Sequence, residues 1–130
     1  MRYFRYLSMD NVSLISVVDD DESIRESLKG LLKALGFAVE VFSSAEAFLR
    51  SDAHPKTNCL ILDVTLPGMS GLELQRELKE RGARIPIIFI TSHADHNIVS
   101  QMKADGAIDC LAKPFKHDSL LKAIRLSLSG

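Results

Sequence analysis

Short apolar runs alternate with stretches of helical period along almost the whole chain, and this alternation restricts the fold more than any other feature. The runs are Leu14-Ile15-Ser16-Val17-Val18, Ala38 to Phe42, Cys59-Leu60-Ile61-Leu62, Ile85 to Ile90 and Ala107 to Ala112. Cys59 to Leu62 is apolar at every position, so both of its faces need cover, as in a central strand of a parallel sheet. Parallel neighbours require crossovers, and the intervening segments supply them. Ile24, Leu28, Leu31, Leu32 and Leu35 make one helical stripe that Gly36 stops, and Leu120, Leu121, Ile124 and Leu128 make another. Between them come a brief helix through Phe48 and Leu49, one carrying Leu74 and Leu78, and a polar one from about Asp95 to Asp105 with Ile98, Val99 and Met102 as its few anchors.

These units predict an α/β chain: a flavodoxin-like (βα)5 doubly wound parallel sheet of strand order 2-1-3-4-5, with its crevice beyond the carboxyl ends of the strands. Ser43-Ser44-Ala45-Glu46 and Ser70-Gly71-Leu72-Glu73 both read as capping boxes. Pro86 is compatible with a strand only near its beginning. The 130 residues fit one domain, over 13–130, behind an N-terminal tail at 1–12 in which Met1 or Met9 is the start. A formal net charge of −1 argues against wrapping nucleic acid or lying on an anionic membrane, and no run reaches the length that spans a bilayer. Cys59 and Cys110 have no metal-ligand spacing and sit in apolar runs as reduced thiols, which fits a cytoplasmic location.

The ends of the expected strands carry the chemistry. Asp19 and Asp20 follow the first, Asp63 ends the third, Thr91 the fourth, and Lys113 the fifth. In the predicted sheet all open onto one edge. Carboxylates a few ångström apart repel by about 4 kcal/mol per pair at an effective dielectric near 20, so such a cluster calls for a cation. Oxygen donors without His or Cys favour Mg²⁺ over zinc. An ionised Asp63 can attack a phosphoryl group in line while Lys113 neutralises its oxygens, and Thr91 can hydrogen-bond the group once attached. Asp21 and Glu22 read as acids at a helix start, and His54, His93, His96 and His117 as solvated loop histidines, His93 bordering the site.

The segments VVDDDES, LILDVTLPGMSGLEL, IIFITSHAD and DGAIDCLAKPF resemble the receiver domain of two-component response regulators over nearly all of 13–128, and with SSAEAFL they look closest to the FixJ type. The resemblance implies that Asp63 is the phospho-acceptor, Asp20 a direct Mg²⁺ ligand, Asp19 mainly a water-mediated one, and the backbone carbonyl of Thr65 a third. It implies Thr91 as the switch hydroxyl, Lys113 as the phosphate-binding lysine, and a cis Lys113-Pro114 bond. The partner implied is a sensor histidine kinase, with self-association on phosphorylation through the fourth helix and last strand. The implied role is a regulator that catalyses only its own phosphotransfer and slow autodephosphorylation. One position departs from the family: Cys110 stands where Tyr or Phe is usual, so coupling is expected either to run through the loop and helix after Thr91 or to be weakened.

Two other readings stay open at this level. A phosphohydrolase of the haloacid-dehalogenase kind also uses a strand-end aspartate, Mg²⁺ and a lysine, although its usual acid-base aspartate is replaced by Thr65. An interaction module that keeps the fold but does without phosphorylation is the other.

Overall fold

A computed structural model describes residues 12–93 and 95–129. The expected tail, Val12 apart, and the choice between Met1 and Met9 lie outside the described residues. The element order is β1 (Leu14–Val18), α1 (Glu22–Ala34), β2 (Ala38–Phe42), α2 (Ala45–Arg50), a 3₁₀ turn (His54–Lys56), β3 (Cys59–Asp63), α3 (Gly71–Glu80), β4 (Ile87–Thr91), α4 (His96–Ala104), β5 (Asp109–Ala112) and α5 (His117–Ser129). The strands form one sheet in the order β2-β1-β3-β4-β5. All pairings are parallel, β1 with β2 and β3, β4 with β3 and β5. The expected flavodoxin-like topology is therefore present.

Side chains of a strand alternate between faces, and the two cores follow that period. Ile15, Val17, Cys59, Ile61, Ile88 and Ile90 pack with Leu28 and Leu32 of α1 and with Leu120 and Ile124 of α5. Val18, Leu60, Leu62, Ile87 and Phe89 pack on the other face with Phe48 of α2, Leu74 and Leu78 of α3 and Met102 of α4. Burying each large apolar side chain contributes about 1.5–3 kcal/mol, which fixes the register of the central strands. Ser16 faces inward in β1, and its hydroxyl pairs with that of Thr57 at 2.7 Å, so the polar group is satisfied.

The departures from expectation have local causes. β4 starts at Ile87, two residues later than expected, because Pro86 has no N–H; its carbonyl still accepts from the Leu60 N–H at 2.9 Å. β5 starts at Asp109, since the Ala107 N–H is drawn back to the Met102 carbonyl at the end of α4. Leu35 is 49% exposed, because it is the C-cap of α1, beyond the helical stripe. His54 is not a solvated histidine: its Nε2 is buried without a hydrogen-bond partner, and its ring meets Phe48 edge-on at 5.5 Å. Ser70 and Glu73 form the expected capping box, with both bonds in place. At α2 the cap is Ser44, which accepts from the Ala47 N–H, and Glu46 points elsewhere.

Candidate functional site at the carboxyl ends of the strands

Chain direction places the site. β1 and β3 are adjacent and parallel, with Val18 beside Leu62, so the residues that follow them emerge on the same edge. Asp19 is fully buried. Its Oδ1 accepts the Asp21 N–H at 2.8 Å, and its backbone carbonyl accepts from Arg25 Nη1 at 2.9 Å. The turn into α1 is thus held from both sides. Asp20, next in the chain, is exposed.

Asp63 ends β3 with 5% exposure, and its Oδ1 accepts the Thr65 N–H at 3.0 Å. Lys113 leaves β5 with its N–H on the Thr91 carbonyl at 2.8 Å, and its bond to Pro114 is cis, as the resemblance implied. The Lys113 Nζ lies 2.8 Å from Asp19 Oδ2 and 3.0 Å from Asp63 Oδ2, so one ammonium joins two acids far apart in sequence. Such charge-assisted bonds are roughly twice as strong as neutral ones.

The electrostatics follow from crowding. Burial pushes the Asp63 carboxyl above its ordinary value, and Asp19 adds to this, while the Thr65 N–H and Lys113 oppose it. Burial pulls the Lys113 ammonium down, yet its bonds to Asp19 and Asp63 outweigh that, and the net direction is up. Asp19, Asp20 and Asp63 each offer a carboxylate oxygen, all within 4.8 Å of one another. One ammonium against three carboxylates leaves the pocket electronegative. This all-oxygen donor set, with the Asp20 carboxylate in no hydrogen bond among the described residues, fits a hard divalent cation such as Mg²⁺.

Asp20, Asp63, Thr65 and Lys113 line an open cleft together with Asp21, Ser92 and His93. Thr91 is 2% exposed, and its hydroxyl accepts the His93 N–H at 3.0 Å while lying 3.2 Å from the His93 carbonyl, so its own loop occupies it. Cys110 is half-buried against the core that holds Met102, and burial pushes its thiol up. Three contributors escaped the sequence reading: Arg25, Glu46 and Gly71. The only signal for any of them was the glycine after Ser70, where a helix start tolerates many residues but this one packs on backbone.

The model of the response regulator receiver domain matches residues 15–125. The chain is 46% identical over 124 residues to the response regulator protein TodT of Pseudomonas putida, an alignment covering 95% of this chain and 54% of that protein. It therefore spans about half the length of the curated relatives it matches. Among solved structures, the response regulator StyR superposes with a TM-score of 0.83 at 44% identity, covering 91% of this chain and 60% of that one. The crystal structure of FixJ-N gives 0.80 at 37%, covering 90% and 94%.

Proposed function

The chain belongs to the response regulator receiver family, and on that premise we propose that it is a phospho-acceptor switch in which Asp63 receives the phosphoryl group. One observation carries the reading: Lys113 Nζ bridges Asp19 and Asp63 in a cluster whose third acid, Asp20, lies within 4.8 Å.

An Asp63 carboxylate oxygen attacks phosphorus; the new P–O bond forms as the bond to the donor breaks, and the electron pair leaves with the donor's nitrogen or oxygen. Asp63 Oδ1 stays oriented by the Thr65 N–H while Lys113 transfers a donor to a phosphoryl oxygen. Asp19, Asp20, Asp63 and the Thr65 carbonyl would hold Mg²⁺, which when bound offsets negative charge on the phosphoryl oxygens. The attached group adds acceptor oxygens, and Thr91 turns its hydroxyl from His93 towards them. That movement passes into α4, which has Met102 as its single fully buried residue and is therefore easy to displace. Cys110 takes the place of a reporting aromatic ring beside it.

The donor is a sensor histidine kinase or a small acyl phosphate, in the cytoplasm. No described helix is long and apolar enough to cross a membrane, and the near-neutral charge supports no direct nucleic-acid contact by this segment. Intact mass after incubation with acetyl phosphate and Mg²⁺ should show one added phosphoryl group in the wild type and none in Asp63→Asn. An unmodified wild type would refute the reading.

Phosphorylation is further proposed to favour self-association through the face of α4 and β5. Sedimentation with beryllofluoride and Mg²⁺ should show a dimer that is absent without them; identical monomeric profiles would contradict this. The phosphohydrolase alternative lacks support, since Thr65 stands at its acid-base position. The phosphorylation-independent module loses ground because the charged site is intact.

A further inference from the structure

Glu46 stands on α2, away from the cleft, yet its carboxylate reaches the loop that carries the site. Its Oε2 accepts the Met69 N–H at 2.8 Å. This is not the capping role expected of it, because Ser44 caps α2 through the Ala47 N–H at 3.1 Å. The glycine beside Met69 takes φ 75°, and a Cβ there would lie 2.5 Å from Glu46 Oε2, so the backbone comes close enough to meet the carboxylate only because residue 68 has no side chain.

The rest of the loop shows what this contact completes. Its start is tied to the site by the Thr65 N–H on Asp63 Oδ1, and Leu66 is buried in the core. Its end is fixed by the Ser70–Glu73 capping box and by the Gly71 N–H on the Val64 carbonyl at 3.0 Å. Between these anchors the Met69 side chain packs partly against the core, and the backbone of Pro67, Gly68 and Met69 makes one hydrogen bond to the body of the protein among the described residues, the bond from the Met69 N–H to Glu46. The path that presents the Thr65 peptide to the acidic cluster is therefore set in part from α2.

We propose that Glu46 is a positioning residue that holds the 65–69 loop in register with Asp63, so that the Thr65 peptide is ready for the divalent cation. The inference rests on the roles proposed for Asp63 and Thr65. Outer partners that orient a metal's ligands commonly change affinity by 10–100-fold when removed. Glu46 acts through one bond near solvent, so a smaller effect is expected.

The test compares Glu46→Ala and Glu46→Gln with the wild type, the glutamine keeping an oxygen that can accept from the Met69 N–H. Mg²⁺ alone is titrated while the backbone amide resonances of Thr65 and Met69 are followed, and acetyl phosphate labelling is then timed at low and saturating Mg²⁺. Glu46→Ala should bind Mg²⁺ about three- to tenfold more weakly and exchange the Met69 amide faster. Its labelling should be slowed at low Mg²⁺ and restored at saturation, and Glu46→Gln should stay within about twofold of wild type. A purely structural loss would instead lower labelling equally at every Mg²⁺ concentration, and that result would overturn the proposal. So would wild-type Mg²⁺ affinity in Glu46→Ala. If the wild type itself gave no Mg²⁺ response, the reading of the site would fall with it; a normal wild type beside an unchanged Glu46→Ala sinks this inference alone.

Discussion

Lys113→Met is expected to lower stability by about 2–3 kcal/mol without divalent cations and to regain much of it when Mg²⁺ is added. Methionine matches the length of lysine and removes only the charge and donors. The Asp19 side chain is fully buried and that of Asp63 is 7% exposed, and Lys113 Nζ is the cation within 3.0 Å of both. Breaking one member out of a buried pair typically costs 3–5 kcal/mol; the cleft opens to solvent, so the figure is reduced here.

The pH dependence has a definite sign. Burial already holds the Asp63 carboxyl above its ordinary value, and loss of the opposing ammonium raises it further, so the stability that depends on its protonation is lost as pH rises. The gap between variant and wild type should therefore close as pH falls through the carboxylate range. Urea unfolding in chelator, with Mg²⁺, and at several pH values measures all three. A variant as stable as the wild type throughout would mean that Lys113 does not neutralise the cluster.

Gly71→Ala should lose about 2–3 kcal/mol, a fall of roughly 10 °C in Tm for a domain of this size. The added methyl would strike the Asp63 carbonyl group, and it would also lie 3.0 Å from the Val64 Cα. Neither can retreat, because Asp63 pairs with β4 and the Val64 N–H is bonded to the Ile90 carbonyl at 3.0 Å. The start of α3 must shift instead, and with it the turn that orients Asp63. Gly30→Ala is the control: nothing lies within 4 Å of a Cβ there, so a helix former replaces glycine at a gain of up to about 1 kcal/mol. Equal thermal stability of the two variants would show that helix propensity, not close packing, governs residue 71.

Much of this was legible in the chain because the central strands are covered on both faces. Cys59 to Leu62 announces itself as a strand without reference to its neighbours, and Asp63 at its end then marks the functional edge. Chain direction does the rest, since residues following parallel strands emerge together, and Lys113 meets Asp19 across 94 positions for that reason. What stayed hidden was contact between side chains and backbone. Arg25 on the Asp19 carbonyl and Glu46 on the Met69 N–H leave no periodic trace, because a polar residue on a helix is equally compatible with solvent. Helix ends were blurred for a related reason: Ser43 and Ser44 are alike in composition, and geometry chooses the second. His54 misled because its loop is polar, whereas its ring lies on Phe48.

The central claim is that one carboxylate among three becomes the phosphoryl carrier. Acetyl phosphate and Mg²⁺ followed by borohydride reduction converts an aspartyl phosphate to homoserine, which peptide sequencing by mass locates. The account predicts homoserine at position 63 and aspartate still at 19 and 20; an unreduced residue 63, or homoserine at either of the others, would contradict it.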